Sequence, residues 1–420
     1  MASPSLQPPP GPHAEAAQRA VGTLQKRQDL QPFWSKVRAA GDELVDRAAE
    51  LCAIPAPTFH EQVRGDFVAQ FLTFSCGIPV ESDALGNRWI RMAGALGSGP
   101  RVMVSAHLDT VFPAGTDCTV RREPSRVIGP GIGDNCTGLS LLLTAAKFLA
   151  EAGRPFAGEL IFAANVGEEG LGNLNGIRAL CERLAPELDA TLALDGGLGH
   201  IVGAAVGSVR YRVKVSGPGG HSWSDFGKPS AIHHLSRIAA ELTKLEVPVQ
   251  PRTTFNVGML GGGTSINTIA PEAELLLDLR SIDPLQLELL DARARRLIEQ
   301  VPVPPELAVQ VEDLGRRPTG DPAHTTDWVD VGRAAWTALN VPVKVTASST
   351  DANVPLALGL RASTIGTHRG GGAHTESEWI EPSTLVTGFE ALLLALLTGQ
   401  AVFPAQAARA DALPEAAGDD

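Results

Sequence analysis

Between Val102 and Leu194 short uninterrupted apolar runs alternate with segments of helical periodicity, and few folds accept that pattern. Val102-Met103-Val104-Ser105-Ala106 reads as a strand, 139–149 as a helix, 160–165 as a strand, 177–184 as a helix and 191–194 as a strand. Strands that are apolar on both sides must be covered on both sides. The pattern therefore predicts an α/β unit, a mostly parallel sheet flanked by helices. In such sheets ligands gather beyond the carboxyl ends of the strands.

Upstream, Val37, Leu44, Val45, Ala48, Leu51 and Cys52 recur at helical spacing, as do Val63, Phe67, Val68, Phe71 and Leu72. Near Val206 the pattern changes. Residues 209–215 alternate with period two, and the segments that follow give a β-α-β-β-α-β order, that of a ferredoxin-like split βαβ unit. Helix and strand patterns of the first kind resume after Pro318 and close with a helix over 385–397. The expected organisation is a discontinuous domain over 33–204 and 318–402, with an inserted α+β domain over 205–317. A disordered Pro-rich tail is expected over 1–32 and a flexible tail over 403–420.

A formal net charge of −12 argues against nucleic-acid binding, which needs a basic surface. Five scattered cysteines without CxxC spacing suit a reducing compartment, and Met1–Pro12 has no apolar core of a signal peptide. No apolar run reaches the ~18 residues of a membrane span. These readings predict a cytoplasmic protein without a membrane or nucleic-acid partner.

Five short segments place polar groups at predicted strand ends or helix starts: His107-Leu108-Asp109, Gly133-Asp134-Asn135, Glu168-Glu169, Asp195-Gly196 and Ala373-His374. Each alone has a plainer reading. Asp134 could be a helix N-cap, Asp195-Gly196 a turn, Glu168-Glu169 a solvated pair and His374 a loop residue. Together, two histidines and three carboxylates would crowd negative charge at one sheet edge unless a cation removed the cost. Imidazole and carboxylate without thiolate point to a catalytic zinc-type site. Adjacent glutamates allow one to bind metal and the other to take a proton from water. Asp109 is spaced to orient His107 through its second ring nitrogen.

In this order, the segments resemble the co-catalytic dizinc peptidase family that contains peptidase T, glutamate carboxypeptidase and the aminoacylases. The likeness covers about residues 35–400 and is greatest to the peptidase-T-like branch. It implies that Asp134 bridges two divalent ions, with His107 and Asp195 completing one site and Glu169 and His374 the other. The ions would be Zn2+, with Co2+ or Mn2+ as alternatives. Glu168 would be the general base, Asp109 the orienting partner, and the Asp134–Asn135 peptide cis. The inserted domain would serve as dimerisation module and lid. Its His221, in Gly217-Pro218-Gly219-Gly220-His221-Ser222, would reach the partner subunit's site in a homodimer, and Asn267 and Arg280 would hold the substrate carboxylate. Asp351 and Asn353 resemble a cleft-facing stretch, and Asp225 is a candidate holder of a free amino terminus. The chain departs from many relatives in carrying Asn135-Cys136 where they have Asp-Lys. The implied substrate is a short peptide, or alternatively an N-acyl amino acid. A non-catalytic binding protein on the same fold is the reading from another class.

Overall fold

The computed structural model describes Leu6 and residues 8–405. The chain divides into two compact units, one holding residues up to Gly203, Pro322–Thr346 and Thr350 onward, the other Ala204–Asp321 and Ala347–Ser349.

The first unit is built on an eight-stranded sheet. Its order is Glu81–Ser82, Arg88–Ala93, Glu159–Asn165, Arg101–His107, Ala190–Leu194, Arg361–Ile365, His200–Ala205 and Lys344–Ser348. Arg101–His107 pairs in parallel with both neighbours, and Ala190–Leu194 pairs in parallel with Arg361–Ile365. Alternate side chains enter separate cores. Val102, Val104, Leu160 and Phe162 pack with the helices Gly41–Cys52, Gln62–Cys76, Gly138–Glu151 and Leu385–Val402. Met103, Ile161 and Ala163 pack with Ile177, Leu180 and Leu184 of the helix Asn175–Leu184. Two covered faces explain why the strands read as continuous apolar runs.

Two features differ from expectation. Within the expected N-terminal tail, Ala14–Lys26 is a helix whose Ala17, Val21 and Leu24 are buried, and Trp34 of the next helix donates its indole N–H to the Leu24 carbonyl at 2.9 Å. An apolar stripe with a buried partner folds where a composition rich in proline suggested none. The final helix runs to Val402, and Pro382–Val402 is long and apolar enough to cross a membrane. Most of that segment is buried inside the unit, so it serves as a core helix. Of the expected C-terminal tail, residues 406–420 lie outside the described residues.

The second unit is a four-stranded antiparallel sheet in the order Thr253–Gly262, Glu272–Ser281, Gly207–Ser216 and Ala308–Arg317. With the helices Ala231–Leu242 and Pro284–Gln300, it has the connectivity expected of a ferredoxin-like unit. Tyr211, Val213 and Val215 face Leu235, Ile238, Leu290 and Ala294 in its own core. The second helix starts where sequence dictates: the Asp283 carboxylate accepts the Gln286 N–H at 2.8 Å, and Pro284 supplies the first helical φ.

Candidate metal centre

The five candidate ligands of the first unit converge, although they are spread from His107 to His374. His107 ends a central strand, Asp195 follows the adjacent one, and Glu168 and Glu169 follow the strand on the other side. Three overlapping groups bring donor atoms within 4.8 Å of one another: His107, Asp134 and Asp195; Asp134, Glu169 and His374; and His107, Glu168 and Glu169. Asp134 belongs to two of these groups. Its Oδ1 lies 3.1 Å from His107 Nε2, and its Oδ2 lies 3.3 Å from His374 Nε2. His374 Nε2 is also 3.3 Å from Glu169 Oε1. The Asp134–Asn135 peptide is cis, as the resemblance implied, and His374 holds a φ of 65°, a conformation uncommon away from glycine.

The tautomers can be deduced. His107 Nδ1 lies 3.0 Å from the Asp109 carbonyl, which can only accept, so Nδ1 carries the proton. In a neutral ring, Nε2 then turns a lone pair toward the Asp134 carboxylate. Both atoms are buried and neither has a hydrogen-bond partner. Two acceptors face one another, and only a proton or a metal cation between them removes the repulsion.

The electrostatics agree with this reading. Burial opposes charge on His107, but Asp109 and Asp134 raise its pKa well above the usual value. Hydrogen bonds to Asp134 and Glu169 raise His374 to about 10. Burial, reinforced by the Asp134 charge, pushes Asp195 up to about 7 and Glu378 up to about 8. The site carries more negative charge than its side chains balance, so the residues fit divalent cations bound by imidazole and carboxylate.

Asp109 is fully buried and does more than orient His107. Its carboxylate accepts the N–H groups of Glu168 and Glu169 at 2.9 Å each and the Thr58 hydroxyl at 2.9 Å. Glu61 accepts the Phe59 and Gly167 N–H groups, which braces the same turn. Sequence reasoning missed Thr58, Glu61, His368 and Glu378. The only available signal was for Glu378, an acid four residues beyond His374 and directly before Trp379-Ile380. Asp351 and Asn353, expected to line the cleft near substrate, are both buried side chains. Asn353 is wholly buried and accepts the Thr350 N–H, while Asp351 accepts from the Asn165 amide at 2.9 Å.

In the second unit, Gly220–His221 pairs with Thr268–Ile269, and the Asn267 carbonyl accepts the Ser222 N–H. This ribbon brings His221 and Asn267 together. Arg280 lies on a separate strand, where its guanidinium meets Asp278 at 2.6 Å. His221 Nδ1 accepts from the Trp223 N–H at 3.2 Å, which leaves Nε2 as the donor of a neutral ring. Asp225 is committed to the loop: it accepts the His221 N–H at 2.8 Å and pairs with Lys228, so it is not a free anion waiting for an amino terminus.

The model of peptidase family M20/M25/M40 matches residues 103–398, well over half of the chain. The chain belongs to that family. Among M20 relatives, it is 27% identical over 299 residues to the N-acetyl-L-citrulline deacetylase of Xanthomonas campestris pv. campestris, which covers 67% of this chain and 77% of the relative. It is 26% identical over 195 residues to YqjE of Bacillus subtilis, covering 44% of this chain but only 50% of that protein. The aminopeptidase PepT of Bacillus cereus superposes with a TM-score of 0.68 at 23% identity, over 86% of this chain and 99% of that one. A tripeptidase of Staphylococcus aureus gives 0.67 at 20% identity with the same coverage. The M20 fold is therefore shared with these peptidase-T-like structures.

Proposed function

We propose that this M20 member hydrolyses peptide or amide bonds with two divalent ions, that the ions are zinc, and that the substrates are short peptides. The observation that carries this reading is the pair of imidazoles turned on the two oxygens of Asp134, at 3.1 and 3.3 Å. His107, Asp134 and Asp195 would hold one ion, and Asp134, Glu169 and His374 the other. When bound, such ions polarise the amide carbonyl and acidify water.

The protein's own groups supply the proton transfers. Glu168, whose carboxylate lies beside His107 and Glu169, takes the proton of the attacking water as oxygen bonds to the carbonyl carbon. The C–N bond then breaks, and Glu168 returns the proton to the leaving nitrogen. Asp109 fixes the base by holding the Glu168 and Glu169 backbone. We assign to His221 Nε2–H a hydrogen bond to the carbonyl oxygen of a substrate held by the partner subunit of a homodimer, with the second unit acting as its lid. Asn267 and Arg280 are assigned to the substrate carboxylate, which would have to compete with Asp278 for Arg280. All five cysteines are free thiols, which suits the cytoplasm.

The second reading, cleavage of N-acyl amino acids, is supported by the likeness to the citrulline deacetylase. A panel of free di- and tripeptides beside N-acetyl amino acids separates the two. Metal-loaded protein should cleave the free peptides, and Glu168→Gln should lower kcat by at least about 100-fold while retaining bound metal. Cleavage of the acetylated set alone would select the second reading, and no cleavage by loaded wild type would overturn both.

A further inference from the structure

Glu378 is 3% exposed and lies four residues after His374 in the same turn, where its N–H donates to the Thr375 carbonyl. Its carboxylate points into the loop that carries Asp134. Oε2 accepts the Gly131 N–H at 3.0 Å, and Oε1 accepts the N–H groups of Gly133 at 3.0 Å and Asp134 at 2.8 Å. The Glu378 main-chain carbonyl accepts the Gly129 N–H at 2.9 Å. One residue thus holds four amides of a six-residue stretch. The fit leaves no slack: a Cβ on Gly133 would lie 2.7 Å from Glu378 Oε1 and 2.6 Å from His368 Nε2.

These side-chain bonds, 244 to 247 residues apart in sequence, tie together two segments, each of which supplies a group to the candidate centre. We propose that Glu378 is a positioning residue for the metal centre, fixing the Asp134 loop to the His374 turn so that the Asp134 carboxylate is held between the two imidazoles. The inference rests on the metal reading given above, and it adds a residue that touches neither substrate nor ion. Removing the carboxylate frees the Gly131, Gly133 and Asp134 amides together and lets Asp134 swing, which weakens metal binding. Glutamine can keep Oε1 on Gly133 and Asp134, but its amide nitrogen confronts the Gly131 N–H as donor against donor.

The test is zinc titration of metal-free wild type, Glu378→Ala and Glu378→Gln against a chromophoric chelator, with cobalt-loaded visible spectra in parallel. Circular dichroism and melting would establish that each variant is folded. Expected are zinc affinity lowered about 10–100-fold in Glu378→Ala and less in Glu378→Gln, an altered cobalt spectrum, and an unchanged KM at saturating zinc. Zinc affinity within twofold of wild type and an unchanged cobalt spectrum in a folded Glu378→Ala would overturn the proposal. Should Glu378→Ala fail to fold, the same comparison on Glu378→Gln decides it. Absence of zinc binding by the wild type would overturn the metal reading along with this one, whereas inactivity on peptides with normal zinc binding would leave this inference standing.

Discussion

At His107 and Asp134 a proton and a metal ion would compete for one place, and neighbouring titratable groups should reveal it. His368, beside Gly133, offers a separate pH signal. Burial lowers its pKa from 6.5 to about 4, against a smaller raising by Asp134. Above pH ~6.5 both folded and unfolded chains carry a neutral ring, and no cost arises. As pH falls toward about 4, the unfolded chain takes up a proton that the folded chain refuses, and stability drops by roughly 3 kcal/mol. Urea denaturation of metal-free protein between pH 7 and 4 should show a shallower acid slope in His368→Gln than in wild type. Parallel profiles would mean that the ring is hydrated in the folded protein.

At the scale of elements, Trp34 measures what the N-terminal helices contribute. Its side chain is fully buried and its N–H caps the Leu24 carbonyl, so Trp34→Ala should cost about 3–5 kcal/mol, read as a fall in the urea midpoint. A loss under about 1 kcal/mol would show that those helices dock weakly. This region was the least legible in the sequence, because Ala17, Val21 and Leu24 make too thin a stripe to stand out beside a proline-rich start. Arg88–Ala93 escaped notice for a related reason, since arginines at both Arg88 and Arg91 break its apolar run. Long periodic elements were legible nearly to the residue, as with the helix expected over 139–149 and found at Gly138–Glu151. The candidate ligands were legible because strand ends beside glycines leave polar residues little structural reason to be there. Thr58 and Glu61 were not, because they act through backbone amides that no local pattern announces.

For the whole molecule, the excess of carboxylates predicts that folding and metal loading are coupled. Chelation should lower the melting temperature. Zinc at ~100 times its dissociation constant should restore about 2.7 kcal/mol per site, seen by calorimetry as a concentration-dependent transition. A transition indifferent to chelator and zinc would show that protons balance the carboxylates unaided. Each unit has its own hydrophobic core, so the part of the transition that follows zinc should belong to the unit containing His107 and Asp134.

The outermost strand of the large sheet, Lys344–Ser348, bears on behaviour at high concentration. A strand in that position presents unpaired amides and carbonyls, a template for a strand of another molecule. Here Leu6 lies antiparallel to Val345 and donates its N–H to the Val345 carbonyl at 2.7 Å. Leu6 therefore shields part of the sheet's rim from self-association, and losing it trades a single residue for a more open, aggregation-prone edge.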